Sequence, residues 1–299
     1  MRISRHARRG FSLVEIITAL TILAIIGVAL TKMVLSQTRS FQYENSSRRA
    51  RSASRSAMNI MTTDLRMLQD VDGVDSVDAT NNRWIDAKVP IAFGIVCKVN
   101  GGNAILALVA VDSFQMASSK YGGYAVRQST SAYSYTHAGN GDTISVVDPS
   151  FCHAPGVYAD TAVVSGRGGT VVRVSPAPAG AAAVGDPAFV WQHVRYQFAA
   201  SQIYSGRYGL WRRIRGRANS DSVKEELIAP FASTARFSYF TNPSAYNDTS
   251  VKTAPANLNQ IRGFQIYLPA ESSDTVPGHN APQRANTTTS VFFKNTRVQ

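Results

Sequence analysis

The chain divides by the period of its apolar positions. From Phe11 to Leu30 runs FSLVEIITALTILAIIGVAL, an apolar stretch with one charge, Glu15. At about 1.5 Å per residue a helix of that length covers about 30 Å, the hydrocarbon thickness of a bilayer. The pattern therefore predicts a membrane-spanning helix. It does not stop at Leu30. No proline occurs before Pro90, and no glycine lies between Gly27 and Gly73. Residues 31–70 are rich in good helix formers. Within them Ala50, Ala53, Ala57, Met61, Leu65 and Leu68 recur at three- and four-residue spacing, which makes one apolar stripe. Together these patterns predict a single helix from about residue 11 to 70, about 90 Å long. Its first half is suited to lipid and its second half to the surface of a globular domain.

From about residue 85 the period falls to two. Ile91–Val99, Ala104–Val111, Thr143–Val147, Thr161–Val164 and Thr170–Val174 are short, β-branched and separated by Gly, Asn, Asp and Pro, so they read as strands. Asn100-Gly101-Gly102-Asn103 marks a hairpin between the first two. Residues 112–142 are rich in Ser, Tyr and Gly and read as a long exposed loop, and PAPAGAAAVGDP (176–187) as a low-complexity connector. Phe189–Phe198, Tyr208–Gly216, Arg236–Thr241, Ile261–Leu268 and Ser290–Lys294 are further strands, with 222–233 read as a short helix. The fold expected is α+β, a long N-terminal hydrophobic helix packed on a mainly antiparallel β-sheet head. Its divisions are a basic leader (1–10), the helix (11–72, transmembrane to 30 and amphipathic from 31), and a β-rich globular domain (73–299).

The flanks of the apolar run sharpen the picture. The leader MRISRHARRG carries Arg2, Arg5, Arg8 and Arg9. Such a block stays on the cytoplasmic side, which places the rest of the chain across the inner membrane. A secretory signal has a shorter apolar core and a small-residue cleavage site after it; no such site precedes Lys32. An acidic residue within a bilayer costs roughly 2.5–3.5 kcal/mol on insertion scales, so it calls for a partner. Cleavage after Gly10 would create a new ammonium on Phe11. In a neighbouring subunit, that charge could satisfy Glu15 and set the axial register of an assembly.

Gly10-Phe11-Ser12-Leu13-Val14-Glu15 resembles the type III signal of type IV pilins and type II secretion pseudopilins. The resemblance implies cleavage between Gly10 and Phe11 by the prepilin peptidase, N-methylation of Phe11, and a docking role for Glu15. It also implies that other pilins or pseudopilins are partners through the helix. Major pilins carry a helix-kinking proline about twenty-two residues after cleavage; here that place is Lys32, which fits a straighter helix or a minor subunit. A second resemblance covers the last hundred residues. Val194-x-Tyr196, Leu210-Trp211-Arg212-Arg213, Glu226-Leu227, Phe237-Ser238-Tyr239, Ile261 to Leu268 and the closing Val291-Phe292-Phe293-Lys294-Asn295 are similar to the C-terminal half of PilW-type minor pilins and J-type pseudopilins.

Charge and composition add less. The net charge is +12, and loss of the four leader arginines leaves +8, a basic surface suited to acidic partners, anionic lipid or nucleic acid. The Ser/Arg run SSRRARSASRS (46–56) invites nucleic acid, but it lacks the interleaved aromatics that single-strand binding favours. A solvated helix face meeting acidic groups on adjacent subunits is the stronger reading. Cys97 and Cys152 fall outside the membrane in this topology, where an oxidising periplasm permits a disulfide closing about 55 residues; two buried thiols are the alternative. Asp70, Asp72, Asp75 and Asp78 flank a glycine turn and offer oxygens to calcium. Their spacing is not that of an EF-hand, and a polar turn ending the helix at Gly73 is the stronger reading.

No catalytic pattern emerges. The five histidines show no HExxH spacing, Cys152-His153 lacks further ligands, and Ser165–Thr170 lacks the P-loop lysine. The expectation is a structural subunit without cofactor: an inner-membrane prepilin that becomes a minor pilin or pseudopilin at the tip of a filament. A tip adhesin or DNA-uptake pilin is the alternative.

Overall fold

The computed structural model describes residues 12–69, 71–112, 121–128, 133–137, 143–152, 169–177, 182–215, 223–241 and 250–293. A single helix, α1, runs from Leu13 to Arg66, about 80 Å at the α-helical rise. Thirteen strands follow among the described residues: β1 (Val74–Val77), β2 (Trp84–Asn100), β3 (Asn103–Leu108), β4 (Gly123–Arg127), β5 (Tyr133–His137), β6 (Thr143–Val147), β7 (Val171–Ser175), β8 (Pro187–Ala200), β9 (Tyr208–Arg215), β10 (Val223–Phe231), β11 (Arg236–Phe240), β12 (Gly263–Glu271) and β13 (Arg284–Phe292). All recorded strand pairs are antiparallel. A long helix followed by a large antiparallel sheet is the α+β architecture that the hydrophobic pattern predicts.

The two longest strands form the spine of the head. β2 and β8 pair from Trp84↔Gln197 to Ile95↔Pro187. Their helix-side half carries β1 on β2 and β9 on β8, and the sheet continues through β10 to β12, which β11 and β13 flank. Their far half carries β3, β7 and β6 on one edge and the β4–β5 hairpin on the other. The register shifts between Pro90 and Ala92. Pro90 has no N–H for the ladder, which is where a bulge is tolerated. The shift keeps one face of β2 in phase. Ile85, Ala87 and Val89 bury toward the helix before it, and Ala92 and Val96 bury on the same face after it, in a second core with Leu106, Tyr124, Val172 and Val190.

That second core contains no helix residue. The first is built on the helix: Ala50, Ala57, Met61 and Leu65 pack with Val194, Tyr196, Phe237, Phe264 and Leu268, all fully buried. Ser54, the polar member of this stripe, donates its hydroxyl to Leu268 O at 3.1 Å, which meets the cost of burying it. Cys97 on β2 is joined by a disulfide to Cys152, in the 3-10 turn Pro149–Cys152, with Cα atoms 5.5 Å apart. The bond ties the turn after β6 to the spine.

Several elements differ from the sequence expectation. The helix ends at Arg66 rather than near 70, because Leu68 and Gln69 turn into the core. Gly73 closes that turn; a Cβ there would sit 2.3 Å from Gln69 O. The residues read as a polar turn include the short strand β1. Residues 223–231, expected to be helical, form β10, paired with β9 from Val223↔Ile214 to Phe231↔Tyr208. Their Glu, Leu and Ala content favours helix locally, but pairing with β9 overrides propensity. The stretch 112–142 is not simply a loop, since it holds the β4–β5 hairpin. β2 starts at Trp84, and β13 starts at Arg284, six residues before the strand expected there. Thr161–Val164 and the closing Lys294 and Asn295 lie outside the described residues.

Candidate functional site

The helix's membrane-sized half is the first candidate. Ser12 caps it in extended conformation. Its hydroxyl accepts from Glu15 N at 3.2 Å, and the Glu15 carboxylate accepts from Ser12 N at 3.0 Å. This reciprocal capping box satisfies two of the donors left free at a helix start. The sequence reading singled out Glu15 but missed this local partner, although Ser12-x-x-Glu15 directly before an apolar run is its signature. Gly10 and Phe11 lie outside the described residues.

Beyond the cap the apolar window of the helix packs on no described part of the head. Leu13, Ile17, Leu20, Leu23, Ile25 and Leu30 are each more than half exposed, and none of the most apolar window is buried. The threonines in it hide their polarity: Thr18, Thr21 and Thr31 return their hydroxyls to the carbonyls of Val14, Ile17 and Gly27 at 2.8–3.0 Å. That is the arrangement an apolar surround demands. Between Leu13 and Thr31 the one ionisable side chain is Glu15. The surface is an apolar cylinder with a single carboxylate near its start.

The upper half is fixed to the head by polar contacts as well as packing. Tyr196 donates its hydroxyl to Asp64 Oδ2, and Arg212 Nη2 lies 3.3 Å from the same oxygen. Burial raises the Tyr196 pKa above its ordinary value, and the Asp64 carboxylate adds to the effect. The phenol therefore stays protonated as a donor.

The described members of the acidic run, Asp72, Asp75 and Asp78, do not form one site. Asp78 spends both oxygens on its own turn, accepting from the backbone N–H groups of Thr80, Asn81 and Arg83 at 3.0–3.1 Å. Burial opposes its charged form, but those donors outweigh it and lower its pKa. Asp72 offers its N–H to Asn259, and Asp70 lies outside the described residues. Asp75 reaches across the sheet to His193 Nε2 at 3.2 Å and Lys88 Nζ at 3.7 Å. The His193 imidazole beside it holds its carboxyl down to about 2, against burial and with help from the Lys88 and His137 charges.

A second polar group appears here that sequence spacing could not show. Asp86, fully buried on β2, accepts from Arg195 Nε at 2.7 Å, from Arg195 Nη2, and from Ser76 at 2.8 Å; Arg215 stands 4.0 Å away. Asp75, Asp86 and His193 bring one donor atom each within 4.8 Å of the others. The set does not fit a metal ion. Two carboxylates already face Lys88, Arg195 and Arg215, and a divalent cation would meet that positive field. The group pins β1, β2, β8 and β9 together on the face of the sheet away from the helix. Lys88 extends it, lying 5.0 Å from the Tyr135 ring and 5.7 Å from the Trp191 ring. Burial, and then the Lys88 charge, lower the His137 pKa at its border.

Residues 5–31 match the prokaryotic N-terminal methylation motif. No curated protein and no solved structure matches the chain. The motif and the long apolar helix behind it fit a type IV pilin or pseudopilin. They imply processing by prepilin peptidase and assembly with other pilins, and they suit membrane anchoring. Proteins carrying this motif are structural rather than enzymatic.

Proposed function

We propose that the chain is an inner-membrane prepilin, cleaved between Gly10 and Phe11, N-methylated on Phe11, and assembled as a minor subunit at the tip of a type IV pilus or type II secretion pseudopilus. Its N-terminus is cytoplasmic before cleavage and its head periplasmic. The observation that carries the reading is the single continuous helix, bare and apolar around Glu15 below and seated in the head's core above. An apolar cylinder of this kind is covered either by lipid or by other such helices, so the same surface serves the subunit before and after assembly. Glu15 then exchanges its own Ser12 amide for the Phe11 ammonium of a neighbour.

The shape of the head supports a tip position and a PilW- or J-type subunit. Its second core stands beyond the helix on the β2–β8 spine, without helix contact. In a repeating shaft every neighbour would have to accommodate that extension; at a tip none above it need do so. The expected result is that sheared filaments contain the chain at far below the abundance of the main subunit, measured by quantitative mass spectrometry. Abundance equal to the main subunit would overturn the minor-subunit reading.

A further inference from the structure

We infer that the outward face of the upper helix is a docking surface for an acidic face of a different pilin-class subunit. The inference rests on the assembly reading above and adds where the neighbour sits and what it carries. At about 100° per residue, Arg48, Arg51, Arg55 and Arg66 fall within an arc of about 60°, centred about 110° round the helix from the stripe that Ala50, Ser54, Ala57, Met61 and Leu65 bury in the head. All four arginines are exposed. Glu44 neutralises Arg48 at 2.8 Å, and Arg51 bonds only the Ser47 hydroxyl. Arg55 and Arg66 have no partner among the described residues. Asp64, the one acid within 48–66, points away into the Tyr196–Arg212 contact. The face therefore keeps three uncompensated positive charges.

Position decides among the occupants. With the apolar span ending at Thr31, Arg48 stands about 25 Å and Arg66 about 50 Å further along the helix. Screening at physiological salt acts over about 8 Å, so lipid headgroups are out of reach of an upright helix. The lower half of the same helix is the surface through which other pilins assemble, so neighbours that cover it continue onto this face. A second copy alongside in register would set arginine against arginine, which is repulsive. The complementary neighbour is a different chain, with Asp or Glu on the facing side. A groove of about 380 Å³ beside the stripe gives it a mixed seat, with Arg49 and Glu226 in its lining. Small residues Ser52, Ala53 and Ser56 form one wall, and Ile203, Leu227 and Ile228 line the other. Ile203 is 68% exposed there.

The test uses the full chain in its native membrane, with a photo-cross-linking amino acid at Asn59, which lies on the same face. The expected product is a heterodimer with a protein that carries its own prepilin signal and an acidic helix face. Combining Arg48→Glu, Arg51→Glu and Arg55→Glu should lower its yield about tenfold or more, whereas the corresponding Arg→Lys variant retains it. Reversing the partner's acids to Lys should restore the product with the Glu variant. Cross-links to a second copy of this chain, nuclease-sensitive products, no cross-link, or yields unmoved by charge reversal would each overturn the inference. The N-terminus of the Glu variant is read in the same samples. An unprocessed chain there and in the unsubstituted protein refutes the prepilin reading itself, while processed chains with unchanged cross-links refute only the docking face.

Discussion

Glu15→Ala leaves the chain inserted in the membrane and removes it from filaments. Insertion is not harmed, because deleting a carboxylate from an apolar span relieves a cost of roughly 2.5–3.5 kcal/mol. The lost capping box weakens the first turn by about 1 kcal/mol, with about four further turns of apolar helix beyond it up to Leu30. Assembly is affected differently. The Phe11 ammonium of a neighbour would enter an apolar surround without a counter-charge, and breaking such a pair costs about 3–5 kcal/mol. Incorporation should therefore fall about a hundredfold or more. Immunoblots of membrane and sheared-filament fractions measure the ratio directly. Full incorporation of Glu15→Ala would remove the docking role of this residue.

Asp86→Ala unfolds the head at milder denaturant. Its carboxylate is fully buried and takes both nitrogens of one Arg195 edge. Removing it strands a mostly buried guanidinium with Arg215 and Lys88 nearby, at a cost of about 3–5 kcal/mol. Chemical denaturation of the detergent-solubilised full chain should show a lower midpoint with little change in slope. Replacing Arg195 with Met alongside Asp86→Leu should recover most of the loss, since an apolar pair of similar volume leaves no unpaired charge. An unchanged midpoint for Asp86→Ala would mean that the buried pair contributes nothing to holding the four strands.

The helix and most strands were legible because each buries one face. The stripe from Ala50 to Leu68 and the alternation in Val194-Arg195-Tyr196-Gln197-Phe198 come straight from core contact on one side and a polar environment on the other. β10 was not legible, because Lys224, Glu225, Glu226 and Leu227 favour a helix until β9 is present to pair with. β4 and β5 were hidden in a Ser- and Tyr-rich stretch whose tyrosines bury against Phe189, Trp191 and the second core. In the assembly site, the position of Glu15 stood out as the lone charge in an apolar run, while its bond to Ser12 N was overlooked. The Asp86–Arg195 pair is separated by 109 residues and becomes visible only through the register of β2 on β8. The acidic run misled in the opposite way. Asp72, Asp75 and Asp78 are close in sequence, but the turn and strand β1 aim them at different partners.

The measurement closest to the central claim is intact mass with N-terminal sequencing of the protein purified from its native membrane. The expected result is a chain beginning at N-methylated Phe11, with the ten-residue leader removed. A chain that still begins at Met1, in cells whose prepilin peptidase is active, would contradict it and reduce the N-terminal segment to a membrane anchor.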